Sequence, residues 1–196
     1  MFYKFARTLV LIVFSIWFRI KVHVAKDESI INDGEPLIIC ANHSSMLDPL
    51  IVAITFKDPI RYMAKKELFN NYFLSFILKH LGVFPIDREG NSLTALKHSL
   101  KLLKSNETLG IFPEGTRVKE YNESAVKGGI GMIVLRSKAT VLPVYIESTF
   151  KPFTPVHIYY GSKINYSEEE QYGPKDYQKV SVNIMERIYS LKERIR

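Results

Sequence analysis

Between residues 92 and 104 the sequence SLTALKHSLKLLK sets Leu93, Leu96, Leu100 and Leu103 three or four positions apart, with Lys97, Lys101 and Lys104 between them. That interval makes one apolar stripe on a helix and leaves the lysines to water. Tyr177, Val180, Ile184, Ile188, Leu191 and Ile195 repeat it near the C-terminus, predicting a helix over 175–195. Helices are also expected over 46–56, 66–80 and 128–138. Short β-rich runs bounded by turn formers predict strands over 19–25, 36–41, 60–64, 82–86, 108–112, 140–147 and 155–160. Strands alternating with helices argue for an α/β fold, a single layered domain over 19–196 with a mixed, largely central sheet flanked by helices. The polar segment 161–175 reads as a surface loop.

The first residues break this alternation. Thr8 to Phe18 is an apolar stretch, with Lys4 and Arg7 before it and Arg19 and Lys21 after it. It is about half the roughly 20 residues that span a bilayer. A basic start before an apolar segment also fits a signal peptide, but no small-residue cleavage site follows. Two readings remain. A helix over 1–18 can lie in a membrane interface, with Trp17 and the Phe residues at headgroup level and the basic flanks on phosphates. Alternatively, it is a first helix packed on the domain.

Composition narrows the partners. The chain has 196 residues, a formal charge of +7 and 12% aromatic residues. The positive excess favours a polyanion: nucleic acid, an anionic bilayer or a phosphorylated substrate. The basic residues form no dense tract, and no zinc-finger spacing or aromatic RNA-binding signature appears, so no nucleic-acid partner is expected. The single cysteine, Cys40, excludes an internal disulfide and sits in an apolar run.

Candidate chemistry gathers at strand ends. PLIICA (36–41) stops at Asn42 and His43, and Asp48 follows five positions later, before Pro49. A turn can bring Asp48 to the imidazole, where it would fix the tautomer and stabilise an imidazolium. The competing reading is that Asp48 caps backbone amides, since Ser45-Met-Leu-Asp48 has the S-x-x-D form of a capping box. The strand 108–112 runs into IFPEGTRVK, where Gly115 permits a positive φ and Thr116 and Arg117 offer donors. Glu114 could orient Arg117 or a substrate hydroxyl, or form a solvated pair. GVFPIDREG presents Asp87 and Arg88. Two arginines and a histidine at strand ends of one sheet can converge on a phosphorylated hydroxyl compound. No G-x-S-x-G elbow is present, which favours direct base-assisted attack over a covalent serine. Histidines 23, 43, 80, 98 and 157 lack metal-helix spacing, so no metal is expected.

Four blocks occur in order across residues 36–147: Asn42-His-Ser-Ser-Met-Leu-Asp48, Gly82-Val-Phe-Pro-Ile-Asp-Arg88, Phe112-Pro-Glu-Gly-Thr-Arg117 and Val141-Leu-Pro-Val-Tyr-Ile146, with Lys127-Gly128 between the last two. Together they resemble the glycerolipid acyltransferase family, and small bacterial 1-acyl-sn-glycerol-3-phosphate acyltransferases in particular. The resemblance implies transfer of a fatty acyl group from acyl-coenzyme A or acyl-carrier protein to a lysophospholipid hydroxyl, with no bound cofactor. It implies that His43 is the base and Asp48 its partner. It implies that Arg88, Glu114, Gly115, Thr116 and Arg117 bind the glycerol phosphate, and that Pro143 is structural or lines the acyl chain. VKEYNES after Arg117 lacks the second arginine some relatives carry. The expected location is peripheral or monotopic on the cytoplasmic face of the cell membrane, with an anionic membrane surface as partner. Another lysophospholipid or an aminolipid remains open as acceptor. A non-catalytic basic membrane-binding module would need neither the His43–Asp48 pair nor FPEGTR.

Overall fold

The computed structural model describes residues 2–25, 32–86, 92–118, 120–123, 126, 128–169 and 171–195. Its chain order is α1 (Phe2–Trp17), β1 (Arg19–Val24), β2 (Leu37–Ala41), α2 (Asp48–Thr55), β3 (Ile60–Lys65), α3 (Tyr72–His80), β4 (Phe84–Ile86), α4 (Ser92–Lys104), β5 (Thr108–Ile111), α5 (Gly129–Ser137), β6 (Thr140–Ser148), β7 (Pro155–Tyr160) and α6 (Tyr177–Ser190). The seven strands form one sheet in the order β1-β7-β6-β2-β5-β3-β4. Among the strands of the described residues only the β6–β7 pair is antiparallel, so the sheet is mixed, as the alternation predicted.

Two apolar cores lie on opposite faces of that sheet. Ile38, Cys40, Leu109 and Val141 face Leu103 of α4, Ile130 and Val134 of α5, and Ile184 and Ile188 of α6. Leu37, Ile39, Leu142 and Val144 face Phe14 of α1 and Ile51 and Val52 of α2. Successive side chains of β2 alternate between the two cores, yet every residue of the strand is buried. Burial also pushes the Cys40 thiol far above its ordinary pKa, leaving it an inert packing group.

The single helix expected over 66–80 is two elements. A 3₁₀ turn spans Lys66–Phe69, and α3 begins only at Tyr72. Asn71 interrupts the run because its side chain accepts from the Leu74 amide at 2.9 Å and acts as an N-cap. The strand expected from residue 82 starts at Phe84, since Gly82 takes φ +76° in a turn. Pro143 stands inside an interior strand, where a proline removes a ladder bond. The β7 ladder stops at Val144, so its missing N–H falls beyond the pairing.

At the N-terminus the expected helix is present, and one of its faces packs on the domain. Tyr3, Arg7, Val10 and Phe14, spaced four, three and four residues apart, turn inward, and Phe14 is buried. Arg7 donates to the carbonyls of Ala53 (3.2 Å) and Ile54 (2.7 Å) at the end of α2. A cation there answers unsatisfied carbonyls and the negative end of the helix dipole. Arg7 is therefore held by the protein, contrary to the expectation that all four basic flanks would reach phosphates. Phe5, Leu9, Ile12, Val13, Ile16 and Trp17 remain exposed. At 16 residues α1 is about 24 Å long. Among the described residues no helix is long and apolar enough to cross a membrane.

Candidate active site

Strands β2 and β5 are parallel neighbours, and the chain leaves them for opposite faces of the sheet. After β2 it turns to α2 and the α1–α2 core. After β5 it goes to α5 and the other core. Diverging connections leave a crevice at the carboxyl ends of the two strands, the usual place for a ligand in such a sheet. His43 and the FPEGTR segment both occupy that edge.

Asn42 fixes the end of β2. Its side chain donates to the carbonyl of Ile146 (3.0 Å) and accepts from the amide of the same residue (2.7 Å). A side-chain amide thus prolongs the β2–β6 ladder by one pair after the main chain has turned away.

His43 is held from several directions. Its Nδ1 lies 3.0 Å from Oδ2 of Asp48, and its ring stacks on Phe112 with centroids 4.3 Å apart. Tyr62 stacks in turn on Phe112, passing so close over Gly110 that a Cβ there would sit 2.2 Å from its ring. The backbone of His43 donates to Oε2 of Glu114 (2.6 Å) and accepts from the Val118 amide (2.8 Å). The loop after β5 is therefore stitched to both backbone polar groups of His43, two residues beyond the end of β2. The imidazole is 18% exposed, and among the described residues its Nε2 has no partner.

Asp48 is fully buried, and its Oδ2 does three things at once. Besides facing His43, it accepts from the amides of Ser44 and Ser45, each at 2.7 Å. Histidine contact and backbone cap, alternatives in the sequence, are geometrically one arrangement. The cap is not a full capping box. The residue before α2 is Leu47 without a side-chain cap, and Ser45 Oγ accepts from the Leu47 amide at 3.2 Å.

Glu114 is half-buried, and burial raises its carboxyl above the ordinary range while donated hydrogen bonds from Tyr189 and His43 pull it back. Its Oε1 accepts from the hydroxyl of Tyr189 at 2.7 Å. Both carboxylate oxygens thus already hold protein donors. Tyr189 lies on α6, far along the chain from every motif, and nothing in the sequence distinguished it from core packing.

Gly115 has φ +66°, the conformation its residue type was expected to permit. Its amide donates to the Phe112 carbonyl at 2.9 Å and closes the turn. Thr116 and Arg117 are exposed beside it, and the Arg117 guanidinium is not paired with another described residue. Arg88, Asp87 and Lys127 lie outside the described residues. No cluster of metal-binding side chains is found among the described residues.

Residues 21–147 match the family model described as Acyltransferase. The chain belongs to the acyltransferase family. Acyltransferase relatives agree with that assignment. A 1-acyl-sn-glycerol-3-phosphate acyltransferase of Streptococcus pneumoniae is 35% identical over 74% of this chain and 53% of its own length. One of Bacillus subtilis is 35% identical over 72% of this chain and 69% of its own. The chain thus spans about half of the first relative and somewhat over two thirds of the second. The crystal structure of the 1-acyl-sn-glycerophosphate acyltransferase of Thermotoga maritima covers 94% of this chain, and 78% of that chain is matched, at 25% identity and a TM-score of 0.66.

Proposed function

We propose that this acyltransferase moves a fatty acyl group from an acyl thioester to the sn-2 hydroxyl of 1-acylglycerol 3-phosphate, forming phosphatidic acid. The observation that carries the reading is the orientation of His43. With Nδ1 turned to the buried Asp48, Nε2 is the nitrogen left to meet a substrate at the crevice. The donor is acyl-coenzyme A or acyl-carrier protein.

His43 Nε2 takes the hydroxyl proton as the oxygen attacks the thioester carbonyl, and Asp48 stabilises the imidazolium that forms. The tetrahedral intermediate carries one negative charge, for which the backbone amides of Thr116 and Arg117, residues on an exposed turn, are candidates. The Gly115 amide is already engaged with Phe112. Collapse breaks the carbon–sulfur bond, and the thiolate leaves with the imidazolium proton. Arg117 and Arg88 supply forked cations for the phosphate. Glu114, whose oxygens hold the His43 amide and Tyr189, acts by positioning His43.

The enzyme works from the membrane surface, where its acceptor resides, with the exposed face of α1 in the interface on the cytoplasmic side. The test is an acyl-transfer assay of purified protein on lysophosphatidate and several other lysolipids, with coenzyme A and carrier-protein donors in parallel. Phosphatidic acid should be the main product. Preference for an uncharged or amino-headed acceptor would overturn the assignment.

A further inference from the structure

Between Leu68 and Phe76 the chain turns large apolar side chains into water. Tyr72 is 89% exposed and Phe73 72%, and Leu68, Leu74 and Phe76 are exposed beside them. Only Ser75 of α3 is buried. The helix thus packs through its small residue and presents its aromatic residues outward, the reverse of a helix on a soluble domain. A patch of that kind marks a partner.

Position and charge say which partner. Leu109 pairs with both Arg61 of β3 and Ile38 of β2, so Lys65 stands level with Asn42. The 3₁₀ turn and the start of α3 therefore lie along the His43 edge. The C-terminal end of α1 reaches the same edge, because Arg19 just after it pairs with Pro155, next to the end of β6. At their far ends the two helices touch: the Phe2 ring is 5.1 Å from His80, which lies 4.0 Å from Phe76. The exposed faces of α1 and α3 are thus continuous. From Lys65 to Ile86 the only acidic residue is Glu67, against Lys65, Lys66 and Lys79. Aromatic residues bordered by lysines suit the headgroup region of an anionic bilayer.

We propose that the 3₁₀ turn and the first two turns of α3 are a second membrane-inserting element, which together with α1 seats the His43 edge on an anionic phospholipid surface. The inference deepens the acyltransfer reading, on which its purpose rests. A groove of about 430 Å³, lined by Phe69, Tyr72, Phe76, Lys79 and His80 among others, offers apolar room beside a cation on the same face. The sequence had assigned membrane contact to α1 and the general charge alone.

Trp17 is the single tryptophan, so Trp17→Phe combined with Phe73→Trp places one fluorophore on α3. With vesicles of phosphatidylcholine and phosphatidylglycerol, its emission should shift to the blue and be quenched by brominated acyl chains. Emission that stays at the solvent-exposed position overturns the proposal. In the otherwise native chain, Phe73→Ser with Phe76→Ser should weaken vesicle binding about tenfold or more at an unchanged melting temperature. The ratio of activity on vesicle-borne to detergent-dispersed lysophosphatidate should fall with it. Wild-type vesicle binding, accompanied by loss of self-association or of carrier-protein binding, would assign the face to a second copy or to the donor protein and overturn the proposal. If wild-type protein fails to acylate lysophosphatidate, the functional reading falls, and the fluorescence and binding results still decide the inference.

Discussion

Tyr189 and Glu114 are joined by a 2.7 Å hydrogen bond that ties the last long helix to the loop after β5. The other oxygen of Glu114 holds the amide of His43, so one carboxylate links α6 to the end of β2. We predict that Tyr189→Phe lowers kcat/KM about tenfold, the low end for a bond to a charged group. The Tyr189 donor lowers the pKa of Glu114, so its removal lets that pKa rise further. The acid limb of the kcat/KM profile should move to higher pH. A fall in kcat/KM with no shift of that limb would make Tyr189 a packing residue only.

His43→Ala should remove the hundred- to ten-thousandfold typical of a general base while leaving thermal unfolding nearly unchanged. Asp48 should separate into two effects. In Asp48→Asn one oxygen can still accept from Ser44 and Ser45, so the protein should fold and turn over slowly. In Asp48→Ala those two amides lose their acceptor, and stability should drop by about 2–5 kcal/mol. Calorimetry beside single-turnover kinetics distinguishes them. Equal activity of Asp48→Asn and wild type would reduce Asp48 to a cap.

Arg117→Ala and Arg88→Ala should each lower kcat/KM for lysophosphatidate roughly ten- to hundredfold, the loss of one charged hydrogen-bond partner. Their effect on an uncharged monoacylglycerol should be much smaller. Parallel losses on both acceptors, measured side by side, would show that the arginines do not read phosphate.

Within α1 the two faces should respond differently. Phe14→Ser should lower the melting temperature, because Phe14 is part of the core shared with α2. Leu9→Ser with Ile16→Ser should leave melting unchanged and weaken vesicle binding in a salt-independent way. Salt should affect only the electrostatic part of binding.

Most elements were legible because local pattern and burial agree. The leucine spacing of α4 gave its helix, although the buried line runs through Leu96, Ser99 and Leu103 while Leu93 stays exposed, and the wholly apolar β2 leaves little choice of structure. The break at Asn71 was missed because its flanks, KELF and YFLSFILKH, are each helix-compatible, and only the side-chain cap separates them. At the candidate site, the His43–Asp48 contact and the positive φ of Gly115 could be read from strand-end position and residue type. The ladder-extending role of Asn42 and the Tyr189–Glu114 bond could not, since each joins residues distant in sequence, 104 and 75 positions apart. Arg7 was misjudged for the same reason: a surface lysine or arginine and one capping a distant helix look identical in sequence. The outward aromatics of α3 were read as an ordinary helix because amphipathic spacing gives a face without saying what covers it.

Among the described residues strand β1 pairs with β7 alone, at the sheet edge, and His23 meets His157 across 134 residues of chain. During synthesis, β1 therefore leaves the ribosome long before its only partner strand exists. For that interval an unpaired β-strand follows directly on a helix with an exposed apolar face. Docking of β7 on β1 completes the sheet, so this edge closes only after most of the chain has been made.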